Sequence, residues 1–158
     1  MKKFLVVGTL FFFFHAIAQE QKPFVAPKLV VGIVVDQMRF DYLTRFWDRY
    51  SDHGFRRMVN QGFNAKNHHF NYIPTATGPS HASVYTGATP AVHGILGNNW
   101  YDKSAKEIVY CAGDTAYPAL GTENKNGMAP TRMLTTTITD QLRIHYQFKS
   151  KVIAVSLK

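Results

Sequence analysis

Cysteine is almost absent: Cys111 is the only one in 158 residues, so no internal disulfide can form and a disulfide scaffold is excluded. Its thiol reads as a half-buried, small apolar group. Acidic residues are also scarce, 10 against 18 lysines and arginines, for a formal charge of +8. The basic residues are nevertheless scattered. Pairs such as Arg56-Arg57 stand among apolar residues at helical spacing, which predicts a solvated face rather than a nucleic-acid surface. A positive field still attracts anionic substrates. Internal repeats and low-complexity tracts are lacking after residue 18.

The apolar run from Phe4 to Phe14 is eleven residues, short of the roughly 18 to 20 needed to span a bilayer. With Lys2 and Lys3 before it and Ala16-Ile17-Ala18 after it, the order is that of a cleaved signal peptide. Residues 1–18 are assigned to it, which predicts export to the periplasm or beyond and no stable membrane span in the mature protein. Cleavage before Gln19 removes Lys2 and Lys3 and no acidic residue, taking +8 to +6. Residues 19–27 are polar and proline-bearing, a spacer. Residues 28–158 form the folded part.

Lys28 to Val35, "KLVVGIVV", is a β-branched run without alternation, as in a strand covered on both faces of a parallel sheet. It ends in Asp36, at the carboxyl edge where open α/β sheets gather ligands. Phe40, Leu43, Phe46, Trp47 and Tyr50 recur at helical intervals and predict one apolar helix face. A second short helix, "GFRRMVNQG", has Phe55, Met58 and Val59 on one side and Gly62 as a left-handed cap. His68 and His69 are adjacent and face opposite sides of an extended segment, so both read as ordinary histidines. "NWYDKSAKEIVYC" predicts a hairpin turning over Asp102 to Lys106. Residues 112–128 read as a long excursion. Pro130 opens a helix with Met133, Leu134, Ile138 and Leu142 as its buried stripe, and Lys151 to Leu157 is another buried strand. This order fits an α/β fold, a parallel sheet with helices on both faces.

The chemistry concentrates in "TATGPSHASVYTG". Pro79 suits the first turn of a helix over about Gly78 to Tyr85, since its missing N–H is unsatisfied there anyway. Thr77 would then sit at a helix start, where free N–H groups favour a phosphate or sulfate. The plainer alternative makes Thr77 or Ser80 an N-cap. A threonine hydroxyl needs a base or a metal to become a nucleophile, and Asp36 is a hard carboxylate able to hold Zn²⁺ or a similar ion beside it. From the residues alone both readings stay open.

Three ordered blocks carry a resemblance: "VVGIVVDQMRFDYL", "YIPTATGPSHASVYTG" and "HGILGNNWYD". Together they resemble the nucleotide pyrophosphatase/phosphodiesterase branch of the alkaline phosphatase superfamily, most closely its phosphate-irrepressible bacterial alkaline phosphatases. The likeness runs from about Lys28 to Lys158. It implies the N-terminal part of a three-layer α/β/α fold with a mainly parallel sheet, and hydrolysis of phosphate monoesters through a covalent phosphothreonine. It makes Thr77, not Thr75, the nucleophile, and Asp36 together with Thr77 ligands of one of two Zn²⁺ ions. Asn98 and Lys158 become donors to the phosphoryl group.

The other Asp and His ligands of that family do not appear by residue 158, so the sequence is expected to be an N-terminal piece, inactive alone. His81 and His93 are expected to make local structural hydrogen bonds. A phosphodiesterase of the same branch is the nearest rival, separated by Lys158 and the residues downstream of it. A sulfatase is disfavoured, because threonine cannot form the formylglycine of that chemistry. A non-catalytic secreted domain holding an anion at a helix N-terminus is the rival from another class. Small phosphate esters are the expected partners, nucleic acid is not, and nothing in the sequence specifies an oligomeric state.

Overall fold

The computed structural model describes residues 26–123 and 127–156. The expected signal peptide, most of the spacer, Leu157 and Lys158 lie outside them. The chain divides into two compact units, Met1–Ile33 and Val34–Lys158. In the first, the described residues 26–33 carry no helix or sheet pairing.

The second unit holds every regular element among the described residues. Helix α1 (Tyr42–Arg45) leads into a 3-10 turn at Trp47–Arg49, and α2 covers Phe55–Gln61. Helix α3 spans Thr77–Thr86 and α4 Pro90–His93. Strands β1 (Asn99–Asp102) and β2 (Glu107–Tyr110) form an antiparallel hairpin, and α5 is Ile138–His145. Six of the buried residues cluster around α3, α4 and the hairpin, Pro79, Ala82, Ser83, His93, Ile95 and Val109, and Gly127 is buried in the excursion.

The hairpin forms as its sequence predicts, with Trp100 opposite Val109 and Asp102 opposite Glu107. Its turn is built by Asp102, whose Oδ1 accepts the Ser104 and Ala105 N–H groups at 2.8 and 3.1 Å. This is the self-bonding that favours aspartate at turns. The two ends of the excursion are held together by the Gly113 to Met128 bridge and by the Thr131 hydroxyl, which donates to Asp114 at 2.8 Å.

Several local expectations are revised. The runs at Lys28–Val35 and Lys151–Leu157 enter no sheet among the described residues, and Leu29 and Val155 are 78% and 93% exposed. β-branched residues favour an extended backbone, but a strand becomes one only through the ladder it shares with a neighbour. The helix expected over Phe40–Tyr50 breaks at Phe46 (φ −109°, ψ 18°). There Arg56 from α2 takes the Trp47 carbonyl with Nε and Nη2, at 3.1 and 2.8 Å, and stacks on the Trp47 ring. Arg56 is thus a tertiary contact and not merely solvated. Gly62 ends α2 in an extended conformation (φ −105°, ψ −176°), not a left-handed one. Helix α5 starts at Ile138, with Thr137 as its N-cap, well past Pro130. A reciprocal cap sets that start: the Asp140 N–H reaches the Thr137 hydroxyl and the Thr137 N–H reaches Asp140. The preceding Leu134 N–H is committed to His93 O at 3.0 Å.

Candidate active site

Asp36 lies in the turn after the extended run, closed by the Met38 N–H to Val35 O bond at 3.4 Å. Gln37 beside it has φ +57°, a left-handed conformation that costs a non-glycine residue on the order of 1–2 kcal/mol. Such strain collects at functional sites.

Thr77 is the first residue of α3, preceded by Ala76 in an extended conformation that offers no side-chain cap. Neither Thr77 nor Ser80 is therefore the N-cap. The Thr77 hydroxyl donates instead to Asp36 Oδ2 at 3.4 Å, across 41 residues. A hydroxyl bonded to a carboxylate normally closes to about 2.5–2.7 Å, so this contact is loose. The spacing suits a shared cation better. Two oxygen ligands at about 2.0–2.2 Å on a tetrahedral zinc stand about 3.3–3.6 Å apart. The pair therefore fits as two of four ligands. Among the described residues no group of three or more His, Cys, Asp or Glu gathers, so the other ligands are not supplied there.

Asn98 comes from the loop between α4 and β1. Its carbonyl O accepts the Cys111 N–H at 2.9 Å, which registers it against the end of the hairpin. Its side-chain Oδ1 accepts the Gly78 N–H of α3 at 2.7 Å. That bond fixes which way the amide is turned. Both Nδ2 hydrogens stay unused by acceptors among the described residues and are donors for an incoming oxygen. Thr75, outside α3, is exposed.

The start of α3 is not the open anion site that its sequence suggests. Gly78 N–H is taken by Asn98 and Pro79 has none; the Ser80 N–H bonds Ala76 O at 3.0 Å. Of these first positions only the Thr77 N–H remains free among the described residues.

The two histidines of this region are structural, as expected. His81 Nδ1 donates to Thr77 O at 2.8 Å. His93 is wholly buried; its Nδ1 accepts the Ile95 N–H at 3.1 Å and its Nε2 meets Ser83 Oγ at 3.0 Å. Burial holds its pKa below the ordinary 6.5, more than the hydrogen bonding to its backbone raises it. His68 and His69 are exposed, with His69 bonded to Asn67 Oδ1 at 2.9 Å.

Sequence reading missed Gly78. A Cβ there would stand 3.1 Å from Cys111 Sγ and 3.2 Å from both Asn98 Oδ1 and Gly97 O. Glycine lets the hairpin end and the Asn98 loop close on α3 this tightly, and a Cβ would make them give by a few tenths of an ångström. The isolated glycine between Thr77 and Pro79 was the available signal. A cavity of about 630 Å³ lies elsewhere, lined by Tyr110, Asp114, Thr131 and Arg132 among others. It touches none of Asp36, Thr77 and Asn98.

The profile of the type I phosphodiesterase / nucleotide pyrophosphatase family matches residues 30–152. Alkaline phosphatase PhoV of Synechococcus elongatus is 50% identical over 133 residues, 84% of this chain and 24% of that protein. Alkaline phosphatase PafA of Elizabethkingia meningoseptica is 48% identical over 143 residues, 89% of this chain and 26% of PafA. A Myroides odoratus protein named as a calcium-transporting ATPase is 46% identical over 149 residues, 94% of this chain and 27% of that protein. The crystal structure of wild-type PafA superposes with a TM-score of 0.82 at 46% identity, over 87% of this chain and 27% of PafA. The described elements are thus part of an alkaline-phosphatase-like α/β fold. The chain spans about a quarter of the length of these relatives.

Proposed function

This chain belongs to the type I phosphodiesterase / nucleotide pyrophosphatase family, and on that premise we propose that the whole protein is an exported, zinc-dependent phosphatase of phosphate monoesters. The observation that carries the reading is the Thr77 hydroxyl, 3.4 Å from Asp36 Oδ2 at the start of α3. The alkaline phosphatase names of PhoV and PafA support it.

Thr77 Oγ attacks phosphorus, the ester oxygen leaves, and a phosphothreonine forms that water then hydrolyses. Asp36 and Thr77 would hold one of two zinc ions, which when bound lower the pKa of the hydroxyl and balance the charge of the transferring group. The Asn98 amide, held by Gly78, presents its N–H groups to an equatorial oxygen. Loss of one such donor costs about 10²–10³ in rate in comparable sites. Lys158 would add a point charge suited to a dianionic group; that role rests on the resemblance of "VSLK". Small phosphate esters are the substrates, and the leader at residues 1–18 directs export.

The test measures p-nitrophenyl phosphate and bis-p-nitrophenyl phosphate hydrolysis by the whole protein. Chelator-sensitive monoester turnover, restored by zinc and lost in Thr77→Ala, is expected. Faster diester turnover would move the assignment to the phosphodiesterase rival. Phosphate binding indifferent to chelator and to Asp36→Ala would make this an anion-binding domain. That rival already has a poor foundation, since the α3 start keeps so few free N–H groups.

A further inference from the structure

The most buried polar group among the described residues takes no part in the proposed chemistry. His93 is 0% exposed. A backbone N–H is always a donor, so the Ile95 bond at 3.1 Å makes His93 Nδ1 an acceptor. The proton of the neutral ring then sits on Nε2 and donates to Ser83 Oγ at 3.0 Å. Ser83 is in α3, and its hydroxyl is also bonded to the Tyr72 hydroxyl at 2.8 Å. The imidazole thus joins α3 to the backbone of the loop that runs on through Gly97 to Asn98.

The same helix and the same loop meet a second time, at the Gly78 N–H to Asn98 Oδ1 bond. Two bonds, at Gly78 and at Ser83, bracket more than one turn of α3. One bond alone leaves a pivot, about which the loop can rotate relative to the helix. A second, separated bond confines that rotation to the line between the two. Thr77 is carried by the helix and Asn98 by the loop, so the relation between them is set by both ends of this bracket.

We propose that neutral His93 is a positioning residue, which acts through the Ser83 to Ile95 bridge to hold the Asn98 amide in register with Thr77. Its value for turnover rests on the phosphatase reading, but its effect on the Gly78 to Asn98 bond does not. Ring chemistry supplies graded substitutes. Asparagine replaces the Nδ1 acceptor but falls short of Ser83, whereas glutamine extends a donor toward Ser83 and loses the acceptor for Ile95. Ser83→Ala breaks the bridge from the other side and leaves His93 in place.

The experiment uses the whole protein with His93→Asn, His93→Gln and Ser83→Ala. Hydrogen exchange of the Gly78 N–H is expected to quicken about tenfold in each, beyond any change at amides of α5. For p-nitrophenyl phosphate, kcat should fall about tenfold or more with KM little changed. In an Asn98→Ala background the same substitutions should cost nothing further, because residues acting through one another are not additive. Unchanged Gly78 exchange in Ser83→Ala would overturn the proposal, as would a kcat loss fully additive with Asn98→Ala. If the wild-type protein hydrolyses no phosphate ester, the phosphatase reading fails and the exchange measurement still decides the role of His93. If the His93 variants do not fold, Ser83→Ala decides it.

Discussion

Gly78 donates its backbone N–H to Asn98 Oδ1 at 2.7 Å, while the space where its Cβ would stand is bounded by that same Oδ1 at 3.2 Å. The contact orients the amide because the helix end has no side chain to keep the loop away. One glycine therefore sets both the hydrogen bond and its closeness.

Gly78→Ala is expected to separate activity from stability. Gly78 lies in the first turn of α3 and precedes Pro79, so alanine gains only part of the about 1 kcal/mol it has over glycine in a helix interior, set against the strain from contacts at 3.1–3.2 Å. The thermal midpoint should move by only a few degrees, while p-nitrophenyl phosphate turnover drops at least tenfold as Asn98 is pushed off α3. Turnover equal to wild type would show that this closeness does not matter.

Asn98 allows its two jobs to be separated. Asn98→Asp keeps an acceptor for Gly78 N–H but replaces both donors with a negative charge, so the fold should persist and kcat should fall by about 10²–10³ or more. Asn98→Ala also leaves a part-buried N–H unpaired, at a cost of about 1–3 kcal/mol. Denaturant titrations of the two variants should therefore differ although both are nearly inactive.

Thr137→Ala removes the hydroxyl that accepts the Asp140 N–H and donates to Asp140 Oδ2, leaves the backbone N–H half of the α5 cap in place, and should cost about 0.5–2 kcal/mol. Asp140 is held below its ordinary 3.8 first by the Thr137 N–H and then by the Thr137 hydroxyl. A depressed carboxylate contributes its stability above the unfolded value and loses it as pH falls through the folded one. The difference between wild type and Thr137→Ala should hold steady above about pH 5 and shrink below 3.8. A gap that widens in acid would contradict this cap.

His93 makes the opposite end of the scale testable. Its folded pKa lies below 6.5 through burial, so the unfolded chain binds the proton first and stability falls as pH drops below 6.5. Protonation would also set a ring N–H against the Ile95 N–H. Urea midpoints at about pH 7.5 and pH 5 should differ more for wild type than for His93→Asn, which has no imidazole to charge. An equal pH response would remove His93 from the acid sensitivity.

What was legible in the sequence was local. The hairpin formed because turn chemistry at Asp102 and β-branched flanks are neighbours in the chain. Helix α3 was visible for the same reason, in the Gly-Pro start that put it over about Gly78 to Tyr85, and it spans Thr77–Thr86. The helix expected over Phe40–Tyr50 breaks at Phe46, beside a Trp47 carbonyl taken by Arg56, a residue outside the pattern. The apolar runs announced strands but could not name the neighbours that make a ladder.

The candidate site divides in the same way. By itself the sequence determined the residue types, the helix start that carries Thr77 and the ordered blocks that mark the family. Tertiary structure set the Thr77 hydroxyl 3.4 Å from Asp36 across 41 residues, a pairing the family resemblance had implied, and it alone decided that Asn98 turns its carbonyl to Gly78 and that His93 bridges α3 to the Asn98 loop. Backbone preferences act between near neighbours, whereas these contacts depend on how distant segments pack. Packing gave the Gly-Pro pair a use that its spacing did not show: it keeps the start of α3 nearly empty of free N–H groups and open enough for Asn98 to close upon it.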